Sequence, residues 1–133
     1  MFCLDTNIWS YLLRQPSAPL VRHLIACQSA DLCLTELIRA ELLYAALRSS
    51  RADLLKNRIE KLLAPYTRLP FGSTAAEHHA AIRTHLERAD APISSNDLII
   101  AATVRAAGAT LITANLREFS RIPHLRCEDW TIG

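Results

Sequence analysis

Glycine is scarce in this chain. Only Gly72, Gly108 and Gly133 occur among 133 residues. Three dispersed glycines cannot build a P-loop or a G-x-G-x-x-G dinucleotide fingerprint. Nor can they frame the G-x-S-x-G elbow of an α/β-hydrolase. Long apolar runs are missing as well. The longest stretch without a charged residue, Ala106 to Leu116, falls far short of the roughly 20 residues a membrane-spanning helix needs. No basic segment followed by an apolar core opens the sequence, so no secretory signal is expected and the cytoplasm is the expected location. Cysteine is limited to Cys3, Cys27, Cys33 and Cys127. They form no C-x-x-C pair and have no histidines at zinc spacing, which leaves buried, reduced thiols as the expectation.

What is present fits one α/β domain over residues 1–133. The length suffices for a sizeable core without staples, and half the residues are hydrophobic. The formal charge is +2, and 13 of the 15 basic residues are arginine. Arginine suits phosphate through its planar, multi-donor fork, so the balance is compatible with a polyanionic substrate without requiring one.

Phe2-Cys3-Leu4 is an apolar run too short for a helix. It reads as a buried strand that ends at Asp5. In an open parallel sheet, ligands sit just beyond the carboxyl ends of the strands, which puts Asp5 where a ligand would be. A short helix, Ile8 to Arg14, follows and stops before Pro16. Pro19 opens a second helical segment, Leu20 to Gln28, with Leu20, Leu24 and Cys27 on one face. Leu32–Leu34 is a second buried strand, and Thr35 caps the helix Glu36 to Arg48. On its wheel, at ~100° per residue, Glu41 falls inside the arc of Leu37, Ala40, Tyr44 and Leu47. Burying an acid is unfavourable unless it is paired or metal-bound, so an ion pair with a core-facing arginine and a metal site both stand open for Glu41. Glu36 points the other way, as a solvated first-turn acid.

An amphipathic helix is expected from Arg51 to Ala64, with Leu54, Leu55, Ile59, Leu62 and Leu63 on its apolar side. A strand at Tyr66–Leu69 and a helix from Ser73 or Thr74 to Ala89 come next. His78 and His85 on that helix are a poor metal pair and read as ordinary surface or interface histidines. The nearly all-apolar helix Leu98 to Ala107 ends at Gly108 as a C′ residue. Asp97 in its first turn is favoured by the helix dipole, yet Ser94, Ser95 and Asn96 already offer capping oxygens, which frees Asp97 for other work. Thr110–Ile112 is a buried strand leading to Thr113 and Asn115, and Leu116–Phe119 is a helical turn carrying Glu118. Leu125–Cys127 is the expected edge strand. Strands alternating with helices predict a three-layer α/β/α sandwich around a mostly parallel sheet.

Carboxylates at strand ends, with hydroxyl and amide groups from Thr6, Asn7, Thr113 and Asn115, form a hard-oxygen set suited to Mg²⁺ or Mn²⁺. Taken together, Leu-Asp-Thr-Asn at 4–7, Arg-Ala-Glu-Leu-Leu-Tyr at 39–44, Asn-Asp-Leu-Ile-Ile-Ala-Ala at 96–102 and Thr-Ala-Asn-Leu-Arg-Glu-Phe at 113–119 resemble the PIN-domain ribonucleases, and most closely their VapC toxins. The resemblance covers essentially the whole chain. It implies Mg²⁺- or Mn²⁺-dependent RNA cleavage, inhibition by a VapB antitoxin, and a homodimer. The ending Arg-Glu-Phe-Ser-Arg-Ile-Pro…Glu-Asp-Trp resembles the subgroup that cuts the anticodon stem-loop of initiator tRNA. By the same resemblance Asp5 and Asp97 match the metal-holding aspartates and Glu41 the second acid. Asn7, Thr113 and Asn115 would bind the phosphate or orient the ligands. Asn115 departs from the pattern, because many members carry Asp there, and Glu118 is the candidate to supply the missing acid. Two other readings remain: a PIN nuclease of RNA processing, and a catalytically silent RNA- or antitoxin-binding module. A phosphoacceptor receiver domain is disfavoured, since no acidic partner accompanies Asp5 and no lysine follows the final buried strands.

Overall fold

A computed structural model describes all 133 residues. Strand β1 (Phe2–Leu4) lies at the centre of the sheet, between β2 (Leu32–Thr35) and β4 (Thr110–Ile112). The edges are β3 (Thr67–Leu69) and β5 (Arg126–Glu128), giving the order β3-β2-β1-β4-β5. Every pairing is parallel, with Leu4 opposite Ile112 and Cys3 opposite both Cys33 and Leu111. The sheet is therefore wholly parallel. Its central residues Cys3, Leu4, Cys33, Leu34, Leu111 and Ile112 are fully buried, as expected of strands covered on both faces.

The helices are α1 (Thr6–Arg14), α2 (Ala18–Ile25), α3 (Glu36–Leu47), α4 (Ala52–Leu63), α5 (Ser73–Arg88), α6 (Ser95–Ala106) and α7 (Leu116–Phe119). The chain runs outward from β1 through β2 to β3, then crosses back to β4 and β5 on the other side. With right-handed crossovers, this lays α1–α4 on one face and α5–α7 on the other, completing the three layers. Strand order reverses between β1 and β4, the switch point at which open α/β sheets bind ligands.

Several boundaries differ from the sequence expectation. Helix α1 begins at Thr6 rather than Ile8, because Asp5 itself caps it, accepting from the Thr6 N–H at 2.8 Å. Helix α2 starts at Ala18 under a Ser17 cap and ends at Ile25, and Ser29–Asp31 form a separate 3-10 turn before β2. Helix α6 begins at Ser95 rather than Leu98, under a Ser94 cap, and holds Asp97 in its first turn as expected. Strand β5 lies one residue later than expected. Gly108, at φ +67°, takes the left-handed C′ conformation that closes α6. All four cysteines are free; Cys3 and Cys33 are buried, while Cys27 and Cys127 are half-buried.

The apolar arc expected on α3 is a genuine correction. The buried stripe is Ile38, Leu42 and Ala46, whereas Tyr44 and Leu47 are each 63% exposed. Leu54 of α4 is likewise exposed, at 55%. The wheel identified an apolar face of α3 without knowing which stripe meets the sheet.

Replacing Leu111, which is fully buried in β4, by Ala should lower unfolding free energy by about 3 kcal/mol through lost transfer energy and a residual cavity. Leu54→Ala should change it by well under about 1 kcal/mol. Urea denaturation of the two variants checks the contrast.

Candidate active site

The backbone leaves β1 through one further ladder bond, from the Asp5 N–H to the Ile112 carbonyl at 2.8 Å. The chain then turns directly into α1. Asp5 is consequently trapped at the switch point with only 5% of its surface exposed. Its two carboxylate oxygens have different partners: Oδ1 accepts from the Thr6 N–H, and Oδ2 accepts from the Thr113 hydroxyl at 2.9 Å. That hydroxyl in turn accepts the Asn115 N–H at 3.0 Å. Thr113 stands at the end of β4 and is fully buried. Its hydroxyl is thus spent on Asp5 and the Asn115 N–H.

Helices α3 and α6 meet over these strand ends. Glu41 is half-buried at that junction. It accepts the Thr6 hydroxyl at 2.7 Å, with the Asn96 amide 3.5 Å away. No arginine pairs with it, which removes the ion-pair reading. Nor is Glu41 driven into the core, because its neighbours on the wheel, Tyr44 and Leu47, face outward. Asp97 is half-buried in the first turn of α6. The Ser94 hydroxyl accepts the Asp97 N–H at 3.2 Å and performs the cap, so the Asp97 carboxylate is not needed there.

Asp5, Glu41 and Asp97 line one cavity of about 370 Å³ together with Thr6, Asn7, Ser10, Tyr11, Arg14 and Asn115. Asn7 is oriented by the Ala114 N–H, which its Oδ1 accepts at 3.5 Å. A larger cleft of about 640 Å³ between α1, α2 and α4 contains no carboxylate, so the acid chemistry belongs to the smaller one.

Glu118 does not line this cavity. It lies beside Asp97, sharing a hydrogen bond with it, and accepts the Asn115 side-chain amide at 2.6 Å. Burial, followed by the bond to Asp97 and its charge, pushes the Glu118 carboxyl up to about 7. Burial also raises Asp5, against the opposing bonds from Thr113 and Thr6 and with added repulsion from Asp97 and Glu41. A group of carboxylates that disfavour one another's charge is a site that favours a cation.

The donor chemistry fits a hard divalent ion. The carboxylates share a cavity without closing into a three-ligand cage, as suits an ion that keeps several waters and is completed by substrate. Asp5 and Asp97 would hold it. His78, by contrast, accepts from Arg105 at 2.8 Å and takes no part.

Sequence reasoning missed Ser10, Tyr11 and Arg14. The signal was the helical spacing from Asn7, which puts residues three, four and seven positions later on the same face.

The PIN-domain family model matches residues 2–125. The tRNA(fMet)-specific endonuclease VapC of Shigella flexneri is 32% identical over 130 residues, covering 98% of each chain. Ribonuclease VapC2 of Rickettsia felis is 29% identical over 131 residues, also covering 98% of each. The crystal structure of DNA-bound VapBC from Salmonella typhimurium superposes with a TM-score of 0.89 at 30% identity, covering 97% of both chains.

The Glu118 carboxyl predicts a pH effect on the metal-free protein. Its folded value lies above the unfolded one, so the folded state holds a proton that the unfolded state has released. Its contribution to stability is therefore present at low pH and lost as pH rises from about 4.5 through about 7. In EDTA, the Tm of the wild type should fall relative to that of Glu118→Gln between about pH 5.5 and pH 8. Parallel profiles in differential scanning calorimetry would contradict the assignment.

Proposed function

The chain belongs to the PIN-domain family and, within it, to the VapC ribonucleases, and on that premise we propose that Asp5, Glu41 and Asp97 form the divalent-cation centre at which it hydrolyses RNA. The observation that carries this is the convergence of three acids from β1, α3 and α6 on one cavity at the β1/β4 switch point. The chain acts as a single domain spanning residues 1–133, and the cytoplasm is its place of action.

Mg²⁺ or Mn²⁺, when bound, lowers the pKa of a coordinated water and offsets the charge of the phosphodiester. The residues divide the remaining work. Asp5, pinned by Thr6 and Thr113, presents a ligand in one orientation. Asp97 supplies the second ligand from the opposite layer. Glu41, held by the Thr6 hydroxyl, acts on the attacking water. Asn7 and Asn115 face the phosphate, and Thr113 acts through Asp5. Glu118 supports Asp97 from behind and takes the place of the fourth acid that Asn115 does not provide.

The substrate is proposed to be tRNA, with the anticodon stem-loop of initiator tRNA as the target. The 32% identity to a tRNA(fMet)-specific endonuclease supports this choice. Control is proposed to come from a VapB-type antitoxin, consistent with the likeness to VapBC complexes. Its helix would cross the groove with a basic side chain toward the acids, and the adjoining apolar cleft offers it a seat. A homodimer is proposed as well, and the exposed Tyr44 and Leu47 of α3 provide apolar surface for association.

Purified protein should cut initiator tRNA with Mg²⁺ or Mn²⁺ and fail with EDTA. Asp97→Asn should lower the rate at least about 100-fold while leaving the circular dichroism spectrum intact. Absence of cutting by folded wild type with either metal would favour the silent binding module.

A further inference from the structure

Helix α1 presents Asn7, Ser10, Tyr11 and Arg14 along one face of the acidic cavity. The first of these accompanies the carboxylates. The last two continue the track away from them, one and two helical turns on. Helical side chains tilt toward the N-terminus of their helix, so Tyr11 and Arg14 lean back toward Asp5 rather than away from it.

Arg14 is the only cation lining a cavity that holds three acids. It is exposed and forms none of the ion pairs in the molecule, which join Arg39, Arg68 and Arg83 to Glu36, Glu60 and Glu87. Its charge is therefore available to a ligand. An acid-lined cavity repels a polyanion everywhere except where a cation has been ordered or a basic side chain intervenes. An arginine at the outer end of the track admits a phosphate without neutralising the acids beneath it.

Tyr11 is the only apolar side chain lining this cavity. It is 42% exposed, and its ring takes part in none of the aromatic contacts of the fold. An open ring beside an unpaired guanidinium is the combination that binds single-stranded nucleic acid, with a base on the ring and a phosphate on the fork.

We propose that Tyr11 and Arg14 form a nucleotide subsite, in which a base flanking the cut in unpaired RNA stacks on Tyr11 while an adjacent phosphate pairs with Arg14. The inference rests on the ribonuclease reading of the carboxylate site and adds to it a binding track on α1. It also gives that site a preference for unpaired RNA, since a base inside a duplex cannot reach the ring.

The test is steady-state cleavage of a single-stranded RNA oligonucleotide with Mn²⁺ at several salt concentrations, backed by binding of the same oligonucleotide to the Asp97→Asn protein. Tyr11→Ala should raise KM about tenfold, and Tyr11→Phe should restore it, because stacking needs the ring and not the hydroxyl. Arg14→Gln should raise KM by a similar factor and make the dependence of log affinity on log salt shallower by about one, as loss of one phosphate contact requires. The salt dependence of Tyr11→Ala should match wild type. Arg51→Gln, a matched charge removal at an exposed, unpaired arginine in the turn between α3 and α4, should leave KM unchanged. Unchanged KM in both Tyr11→Ala and Arg14→Gln, with wild type active, would overturn the subsite and leave the ribonuclease reading standing. So would unchanged KM combined with weakened antitoxin inhibition, which would assign this face to the protein partner. If wild type itself cuts no RNA, the ribonuclease reading fails first and the subsite falls with it.

Discussion

The hydrogen bond from the Thr113 hydroxyl to Asp5 Oδ2 is the contact on which the site depends. It joins the ends of β1 and β4, the two parallel strands between which the strand order reverses. A carboxylate with 5% exposure would be expelled or neutralised without such partners. Here one oxygen is taken by the start of α1 and the other by β4. The sheet thus fixes the acid's position, and its desolvation makes a cation welcome. Glu41 is tied to the same centre through the Thr6 hydroxyl, so adjacent residues, Asp5 and Thr6, organise two of the three acids.

Helix α1 is the element shared by everything functional. One face carries Asn7, Tyr11 and Arg14 into the acidic cavity. Another carries Trp9, Leu12 and Leu13 into the larger apolar cleft against α2 and α4. The two faces share one helix of nine residues, so the acidic cavity and the apolar cleft lie on either side of it, about 10 Å apart.

Much of this was legible in the sequence, for identifiable reasons. Short apolar runs ending in polar residues marked Phe2–Leu4 and Thr110–Ile112 correctly, because buried parallel strands carry no alternation to confuse them. Ser94 gave away that Asp97 was spare, since a helix needs only one cap. Glu41 was found by a partly mistaken route. Leu37 of the expected arc packs against the core, but Tyr44 and Leu47 face outward, and only the packing of α3 through Ile38 and Leu42 shows it. Arg14 read as a helix terminus because sequence alone does not say that the last turn of α1 overhangs a cavity. Glu118 was expected to supply the acid that Asn115 lacks, and it lies beside Asp97 and bonds the Asn115 amide without lining the cavity, a placement that spacing cannot resolve.

The most direct test of the central claim is Mn²⁺ binding to RNA-free protein, followed by electron paramagnetic resonance, for wild type and Thr113→Val. The variant retains every acid and removes only the hydroxyl that holds Asp5. Binding weakened about tenfold or more with the fold retained is the predicted result, in line with the loss of an orienting contact behind a metal ligand. Equal affinity in the two proteins would show that Asp5 does not need its β4 anchor, and would contradict the account.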